Sequence, residues 1–455
     1  MDRSSPATSA LAAKYARPVP RYTSYPTAPH FGPEIDGARY GAWLDALGDD
    51  GPLSLYFHIP FCRSLCWFCG CCTKVVNRYA PVARYLDLLV AEIDRVAKHL
   101  DRPRHVSNVH LGGGTPTLLD ARDLERLFDA MRRNFILDDD ADLAIEVDPR
   151  VLSREQAAAL GRVGITRASL GVQDFAPAVQ NSIHRIQSFR TTARTTELLR
   201  SAGVARINLD LIYGLPHQTV ESVAATVDRA MTLAPDRLAI FGYAHVPWMK
   251  KHQRLIPEAA LPGPSERLAQ LQAATARVAA HGYVAIGIDH FARPDDAMVA
   301  ARESGRLRRN FQGYTVDRGA ALIGFGVSAI GTLPQGYAQN ATDVAAYAAA
   351  IERGALATVR GIALADDDRL RREIIERLMC DFEAPIDEIA LRHGATTKAL
   401  DDARAGLEPM IADGMVSLED GWLKLTEAGR PLVRAVCATF DRYLDGGAAR
   451  HSAAV

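Results

Sequence analysis

Five of the seven cysteines fall in one short segment, at Cys62, Cys66, Cys69, Cys71 and Cys72. The odd total and the close spacing argue against a disulfide framework and favour a reducing compartment. The first three form a C-x3-C-x2-C triplet, which could hold iron or zinc. Structural zinc commonly takes four ligands in two separated pairs, and no second pair follows here. Three thiolates instead suit a four-iron cluster with one iron open to a non-protein ligand, so the sequence favours that cluster.

Strand-like runs alternate with helical patterns through the first two thirds of the chain, as in repeated βα units. At least six such units are present, so the sequence predicts an α/β fold whose parallel sheet curls into a full or partial barrel. The runs interpreted as strands are 53–59, 105–111, 141–149, 167–175, 206–216, 237–247 and 283–292.

Reactive side chains and glycines occur where these strands end. Enzymes built on βα barrels carry out their chemistry at the carboxyl ends of the strands, on the loops that follow. In strand order these residues are the cysteines, Gly112–Gly114, Glu146 with Asp148, Gln173 with Asp174, Asp210 within the fifth strand, and Tyr243 with His245. The coincidence predicts an enzyme with its site at that end of the barrel.

Charge and hydropathy exclude several classes of protein. The 53 basic and 54 acidic residues give a net charge of −1, whereas a nucleic-acid-binding protein would show a basic excess. The N-terminus has no apolar stretch typical of a signal peptide. The uncharged segment 319–342 contains proline, amide side chains and glycines, which suit strand and loop better than a membrane helix. We therefore expect a cytoplasmic protein with no membrane or nucleic-acid partner.

Composition divides the chain into three predicted parts. Residues 1–50 form an extension, whose aromatic and proline-rich segment 20–28 is expected to lie across the barrel mouth. Residues 51–360 form the barrel, and residues 361–455 form a small, mostly helical domain with winged-helix character. The chemistry is expected in the second part, because no chemically suggestive motif follows residue 360.

Several motifs admit a structural as well as a functional interpretation. Gly112–Thr117 is either a tight turn or a place where the backbone approaches a ligand closely. Four histidines on or beside strands are more often hydrogen-bonded core residues than ligands: His58, His110, His245 and His290. Three arginines are either a solvated face or binders of a polycarboxylate: Arg306, Arg308 and Arg309.

Together these residues resemble the radical S-adenosylmethionine superfamily, whose hallmark is the cysteine triplet after the first barrel strand. More closely, residues 17–445 resemble the family of oxygen-independent coproporphyrinogen III oxidases, also called coproporphyrinogen dehydrogenases. The segments that carry the resemblance are PRYTSYPTA (20–28), YFHIPFC (56–62), GGGTPT (112–117), IEVDPR (145–150), GVQDF (171–175), NLDLIYGLP (208–216), YAHVP (243–247), DHFARPDD (289–296), NFQGYT (310–315) and YAQN (337–340). The resemblance implies a partial (βα)6 barrel with extra flanking strands, plus a small, mostly helical C-terminal domain.

The resemblance also implies cofactors and the residues that bind them. Cys62, Cys66 and Cys69 would ligate a [4Fe–4S] cluster whose open iron chelates S-adenosyl-L-methionine, and a second S-adenosylmethionine would bind beside the first. Contacts to the first molecule are implied for Tyr56, Gly113, Glu146 and Ile330. Contacts to the second are implied for Phe68, Gly114, Thr115, Gln173, Arg185, Asp210 and Ala244.

Two positions depart from the family pattern. Trp67 occupies an aromatic position where we expect tyrosine in relatives, and Cys71-Cys72 stands where one cysteine and a polar residue are expected. Cys72 is therefore a surplus thiol near the predicted cluster. Neither departure changes the three predicted ligands.

The implied reaction converts two propionate side chains of coproporphyrinogen III to vinyl groups by 5′-deoxyadenosyl radical chemistry, giving protoporphyrinogen IX in haem biosynthesis. The resemblance implies an electron-donor protein as partner, and we expect a monomer. Arg21 and the Arg306–Arg309 run are the hypothesised binders of the substrate carboxylates. Two alternatives are a haem chaperone of the related sister family and a non-catalytic metal-binding regulator. PRYTSYPTA and NFQGYT favour the oxidase over the chaperone.

Overall fold

One mixed sheet organises the computed structural model, which describes residues 11–444 apart from residues 13 and 16. Residues 1–10, 13 and 16 of the predicted extension, and 445–455 of the predicted C-terminal domain, lie outside the described residues. In chain order the strands are β1 (Leu53–Ile59), β2 (Phe61–Cys62), β3 (Lys74–Val75), β4 (His105–Gly113), β5 (Ile136–Val147), β6 (Arg167–Gln173), β7 (Arg206–Tyr213), β8 (Arg237–Gly242), β9 (Val284–Ile286), β10 (His290–Ala292), β11 (Arg308–Asn310), β12 (Gly313–Thr315), β13 (Ala321–Phe325), β14 (Ile330–Leu333), β15 (Gly336–Asn340), β16 (Thr358–Ala363), β17 (Glu383–Pro385), β18 (Val416–Glu419) and β19 (Trp422–Leu425).

The large sheet has the strand order β16-β15-β14-β13-β1-β4-β5-β6-β7-β8-β10-β9. Its centre, from β13 through β1 to β8, is parallel, and both flanks are antiparallel. Strand β1 is almost entirely buried, as its continuous apolar sequence requires of a strand covered on both faces. The predicted partial α/β barrel with flanking strands is confirmed, and the carboxyl ends of six successive parallel strands meet at one edge.

Helices cover the outside of the sheet between consecutive strands, and several begin at polar caps. Ser153 and Gln156 form a reciprocal capping box at the start of one helix, and Asp120 caps another. The helices are α1 (Gly37–Asp45), α2 (Ala80–Ala97), α3 (Ala121–Asn134), α4 (Arg154–Val163), α5 (Pro177–Ser182), α6 (Phe189–Ser201), α7 (Val220–Met231), α8 (Pro264–Ala280), α9 (Ala297–Glu303), α10 (Val344–Glu352), α11 (Asp366–Asp381), α12 (Ile386–Arg392), α13 (Asp401–Ala412) and α14 (Val433–Cys437).

The prediction of a single strand over 283–292 is wrong. That segment forms the short strands β9 and β10, which pair antiparallel with each other across a turn. Gly287 adopts a positive φ of 57° in the turn, and a Cβ atom there would lie 2.0 Å from the Tyr314 ring. The close approach of Tyr314 therefore bends the chain where the local apolar pattern alone indicates continuous strand.

The uncharged segment 319–342 forms β13, β14 and β15, as predicted for strand and loop. These strands lie beyond β1, on the flank of the large sheet away from β9 and β10. Leu322 pairs with Thr332, and Tyr337 pairs with Thr332 on the next ladder, so the segment folds back twice. Within residues 11–444, apart from 13 and 16, no helix combines the length and apolar character that a membrane crossing requires.

A second core forms from helices α11 to α14 and the three-stranded sheet β17-β19-β18. Val19, Tyr22 and Tyr25 from the N-terminal segment are buried in the same core. The Tyr22 hydroxyl donates to Asp441, and the Tyr25 hydroxyl donates to the Phe440 carbonyl. These contacts hold the segment around residues 19–25 between the C-terminal helices and the end of the barrel.

We expect Asp296→Asn to destabilise the barrel by about 3–5 kcal/mol, because it leaves the buried guanidinium of Arg237 without its counter-charge. The two side chains are only 6% and 5% exposed, and two hydrogen bonds of 2.8 Å join them. The measurement is the urea midpoint of unfolding. The neighbouring Asp295→Asn is the matched control, since Asp295 is 75% exposed and should change stability by less than about 0.5 kcal/mol. Equal midpoints for both variants would contradict the prediction.

Candidate active site

The cysteine loop, residues 60–75, begins directly after β1, and the parallel pairing of β2 with β3 closes it. Contacts from distant segments hold its interior: the Trp67 amide donates to the Ile183 carbonyl at 3.0 Å. The Gln253 side chain donates to the Phe68 carbonyl at 2.9 Å, and His252 Nε2 lies 2.7 Å from the Cys69 carbonyl. The loop therefore has a defined shape at the carboxyl edge of the sheet.

Hydrogen-bond donors surround the sulfur atoms of the triplet. Thr115 Oγ1 donates to Cys62 Sγ at 3.5 Å, and Arg150 and Arg185 each place a guanidinium nitrogen 3.5 Å from Cys66 Sγ. Both arginines also pair with the Asp148 carboxylate, which keeps them oriented. Two cationic donors at Cys66 and a hydroxyl donor at Cys62 fit an anionic iron–sulfur cluster, whose reduction potential depends on hydrogen bonds to sulfur.

Within the described part of the chain, no three His, Cys, Asp or Glu side chains are grouped as ligands of one metal ion. Thiolates on a four-iron cluster bind different irons, so their sulfur atoms need not converge on a single point. The triplet and its donors are compatible with that arrangement.

The glycine turn after β4 packs against the cysteine loop. Gly113 has a φ of 113°, and a Cβ atom there would lie 2.6 Å from the His58 ring. A Cβ atom on Gly114 would lie 2.6 Å from the Phe61 carbonyl oxygen. Both positions therefore exclude larger residues, because two backbone segments meet there with no room for a side chain. The structure therefore shows the tight turn, and the close approach to a ligand stays a prediction.

The cysteine loop and the carboxyl ends of β1, β4, β5, β6 and β7 surround a region that we call the opening. Glu146, at the end of β5, is its central carboxylate. It accepts hydrogen bonds from the Gly113 amide at 3.0 Å and from His110 Nε2 at 3.3 Å, and its side chain stays 41% exposed. Burial alone would raise its pKa, but the hydrogen bond and charge of His110, with the Gly113 amide, lower it below its ordinary value. The group is therefore an ionised carboxylate with free acceptor capacity for a cation.

Two residues of β1 line the same opening. The Tyr56 hydroxyl donates to His58 Nδ1 at 3.0 Å, and His58 Nε2 donates to the Cys72 carbonyl at 2.9 Å. Burial lowers the pKa of His58, which suits this neutral tautomer. The Tyr56 ring also stacks on His110, with centroids 5.9 Å apart. This chain of contacts connects the first strand to the cysteine loop and to Glu146.

Asp210 and Arg185 form the neighbouring side of the opening, on and beside β6 and β7. Asp210 accepts from Ser169 at 2.8 Å and from Asn208 at 2.7 Å, and burial is the main cause that raises its pKa to about 6. Arg185 donates to the Gly171 carbonyl at 2.6 Å as well as to Cys66. This side thus carries one acid of raised pKa beside a fixed guanidinium.

Four further predicted site residues are Gln173, Phe68, Ala244 and Ile330, of which Ile330 lies farthest along the sheet. Gln173 ends β6 with a φ of 71°, and Gln253 bridges the carbonyls of Phe68 and Ala244. Ile330 begins β14, two strands away from β1. It approaches the group through Gly324, which pairs with Tyr56 and whose Cβ would lie 2.8 Å from the Ile330 carbonyl carbon.

Sequence reasoning missed Arg150 and the pair His252 and Gln253 as residues that shape the site. Arg150 stands two residues after Asp148, so its position after a strand end was a usable signal. The segment that holds His252 and Gln253 forms a short 3-10 helix without apolar periodicity, and no sequence pattern connects it to the cysteine loop. The four histidines predicted as hydrogen-bonded residues all have protein partners; His290, for example, pairs with Asp289 at 2.7 Å.

Comparison with known proteins supplies the family. Residues 56–230 match the model of the Radical SAM superfamily, and residues 364–432 match the HemN C-terminal domain. The oxygen-independent coproporphyrinogen III oxidase of Bradyrhizobium diazoefficiens is 51% identical over 437 residues, covering 96% of this chain and 97% of the relative. The Escherichia coli relative of the same name is 44% identical and covers 96% and 95%.

A solved structure agrees with the sequence comparisons. Coproporphyrinogen III oxidase (HemN) from Escherichia coli, described as a radical SAM enzyme, superimposes with a TM-score of 0.89 at 41% identity. The match covers 93% of this chain and 98% of that structure. Radical SAM enzymes use a [4Fe–4S] cluster and S-adenosylmethionine, and the donor set around the triplet fits both. This chain belongs to the oxygen-independent coproporphyrinogen III oxidases of the radical SAM superfamily.

Proposed function

We propose that this protein decarboxylates two propionate side chains of coproporphyrinogen III to vinyl groups without oxygen, giving protoporphyrinogen IX in haem biosynthesis. Each propionate loses CO2, one β-hydrogen atom and one electron, which passes to an acceptor. The observation that carries the proposal is the convergence of the cysteine loop, the Gly113 turn and the ionised Glu146 at the carboxyl ends of β1, β4 and β5. Full-length relatives that bear this activity in their names support it.

We assign Cys62, Cys66 and Cys69 as the cluster ligands. When bound, the cluster and S-adenosylmethionine supply a 5′-deoxyadenosyl radical that removes the β-hydrogen. The protein orients the reactants and excludes water. Arg150 and Arg185 hold donors near Cys66, and Thr115 does so near Cys62.

Two S-adenosylmethionine molecules are part of the proposal, on adjoining sides of the opening. On the side of Glu146, an ionised carboxylate and the Gly113 backbone suit the ammonium group of a methionine moiety. The residues proposed for this molecule are Tyr56, Gly113, Glu146 and Ile330. On the side of Asp210, buried acid and guanidinium groups suit the polar parts of a second molecule. The residues proposed there are Phe68, Gly114, Thr115, Gln173, Arg185, Asp210 and Ala244.

The proposal includes an electron-donor protein and a monomeric enzyme. We also propose the division into an N-terminal extension (1–50), a barrel domain (51–360) and a C-terminal domain (361–455). Two separate groups of buried apolar side chains support the boundary near residue 360, since one belongs to the barrel and the other to helices α11 to α14. Val19, Tyr22 and Tyr25 of the extension pack in the second group.

The test is an anaerobic assay of the protein after reconstitution with iron and sulfide. Dithionite, S-adenosylmethionine and coproporphyrinogen III are added, and tetrapyrroles and nucleoside products are separated. We expect protoporphyrinogen IX together with 5′-deoxyadenosine or methionine. S-adenosylmethionine cleavage without decarboxylation would contradict the oxidase and support the related haem chaperones. A loaded cluster that cleaves nothing would contradict the enzyme altogether.

A further inference from the structure

Two guanidinium groups lie near the Asp289 carboxylate, just before β10 at the edge of the large sheet. The Arg309 side chain is only 5% exposed, and its Nη1 lies 3.9 Å from Asp289 Oδ1. Arg21 comes from the N-terminal segment and donates to the Gly242 carbonyl at 2.8 Å. The place adjoins Ala244 and the proposed cofactor site.

Asp289 already has a closer partner than either arginine. His290 Nδ1 lies 2.7 Å from Asp289 Oδ1. Burial would raise the pKa of Asp289, but the nearby His290, Arg309 and Arg21 bring it to about 2. The carboxylate is therefore ionised, and a single negative charge faces two guanidinium groups.

Arg309 is under-satisfied where it lies. Its Nε and Nη1 atoms are buried and have no hydrogen-bond partner among the residues that the structure describes, and its guanidinium lies over the Tyr314 ring at 4.5 Å. A buried guanidinium that lacks acceptors is costly, whereas a carboxylate can accept two parallel hydrogen bonds from it. The arrangement is therefore suited to a carboxylate that arrives with a ligand.

Other cations strengthen the positive potential at this place. Arg267 donates to the Tyr243 carbonyl at 2.9 Å, and its guanidinium lies 5.7 Å from the centre of the Tyr213 ring. Burial, followed by the charge of Arg21, lowers the pKa of Arg434 to about 10. Such a local field attracts an anion even though the whole chain has a net charge of −1.

We propose that Arg309 and Arg21 form a carboxylate anchor that holds a non-reacting propionate of the tetrapyrrole substrate. This inference rests on the proposed function, because coproporphyrinogen III carries four carboxylates and only one reacts at a time. The anchor lies beside the cofactor opening, so it would orient the macrocycle with another propionate toward the reacting atoms. It would also favour tetrapyrroles with a free carboxylate at this place over those without one.

The other arginines of the 306–309 run do not share this environment. Arg306 is exposed and donates to Ser304 Oγ at 2.9 Å. Arg308 is 58% exposed and pairs with Glu376 at 3.0 Å. Strand pairing of β11 with β12 alternates the side chains, so only Arg309 turns inward, over Tyr314. Arg306→Gln is therefore a matched control for Arg309→Gln.

The test measures binding of coproporphyrin III, a stable oxidised analogue of the substrate, to the cluster-loaded full chain by fluorescence titration. Its tetramethyl ester, which has no free carboxylate, is titrated in parallel. We expect Arg309→Gln to raise the Kd for the free acid about 10- to 100-fold and to leave the Kd for the ester within about 2-fold. Arg21→Gln should act in the same direction with about a 5-fold effect, and Arg306→Gln should match the unchanged protein.

Comparison of acid with ester separates an anchor from a structural role. Equal weakening of both ligands in the Arg309 variant, or unchanged binding of the acid in both the Arg309 and Arg21 variants, would overturn the inference. If Arg309→Gln does not fold, Arg21→Gln carries the test, because its side chain is accessible to solvent. Turnover with unchanged acid binding in the variants would remove the anchor and keep the function. Carboxylate-dependent binding without protoporphyrinogen would keep the anchor and remove the function.

Discussion

Replacing Cys66 with alanine is expected to abolish protoporphyrinogen formation and cleavage of S-adenosylmethionine. Three thiolates are the minimum proposed for the cluster, and Cys66 is the one that is buried beneath Arg150 and Arg185. Its loss removes one iron ligand and leaves two guanidinium groups directed at an empty place. The measurements are iron and sulfide content after anaerobic reconstitution, the visible spectrum, and 5′-deoxyadenosine yield.

Cys72→Ala is the matched control for this prediction. The Cys72 thiol donates to the Thr342 carbonyl at 3.4 Å and belongs to the same loop, but it is not one of the three proposed ligands. We expect this variant to keep the iron content and the activity of the unchanged protein. A Cys66→Ala protein that holds a full cluster and cleaves S-adenosylmethionine would refute the ligand assignment.

Glu146→Gln is expected to lower kcat/KM for S-adenosylmethionine about 10- to 100-fold. The change keeps the shape of the side chain and an oxygen that can accept from the Gly113 amide. It removes a negative charge that would face the ammonium group of the cofactor, and a hydrogen bond to a charged group contributes about 1.5–3 kcal/mol. Because the pKa of Glu146 is lowered, the native carboxylate is ionised throughout the neutral range and the deficit should not depend on pH there.

The measurement is 5′-deoxyadenosine formation as a function of S-adenosylmethionine concentration, with coproporphyrin III affinity determined on the same sample. We expect the tetrapyrrole affinity to change little, which separates this variant from those of the carboxylate anchor. Glu125→Gln is the control, since Glu125 pairs with Arg162 on the outer helices. Native kinetics in the Glu146 variant would exclude a role for this carboxylate in cofactor binding.

Much of the barrel was predictable because continuous apolar runs in the sequence correspond to its strands. The runs at 53–59 and 206–216 begin at the residues where β1 and β7 begin. Prediction was weaker where pairing partners decide the structure. Strand β5 starts at Ile136, before the predicted start at 141, because Ile136 and Leu137 pair with His105 and Val106 of β4. A local pattern cannot report such a partner.

The candidate site, like the barrel, has features that the sequence predicts and contacts that it does not. The triplet spacing, the three glycines and the acids at strand ends are local features, so the sequence alone indicated their chemistry and their common edge. The contacts that make them a site join distant residues, such as Cys66 with Arg150 across 84 positions and Cys66 with Arg185 across 119. These depend on how the strands and loops pack, which no short segment records.

The sequence by itself determined the cysteine triplet, the parallel barrel and the family, because each depends on residue type and short-range spacing. Only the tertiary structure decided which arginine of the 306–309 run is buried. Pairing of β11 with β12 turns Arg309 inward over Tyr314 and leaves Arg308 with Glu376 at the surface. The same packing brings Arg21, from the far end of the chain, to the end of β8. Burial and charge at that meeting point are properties of the assembled fold, so they could not be obtained from sequence pattern alone.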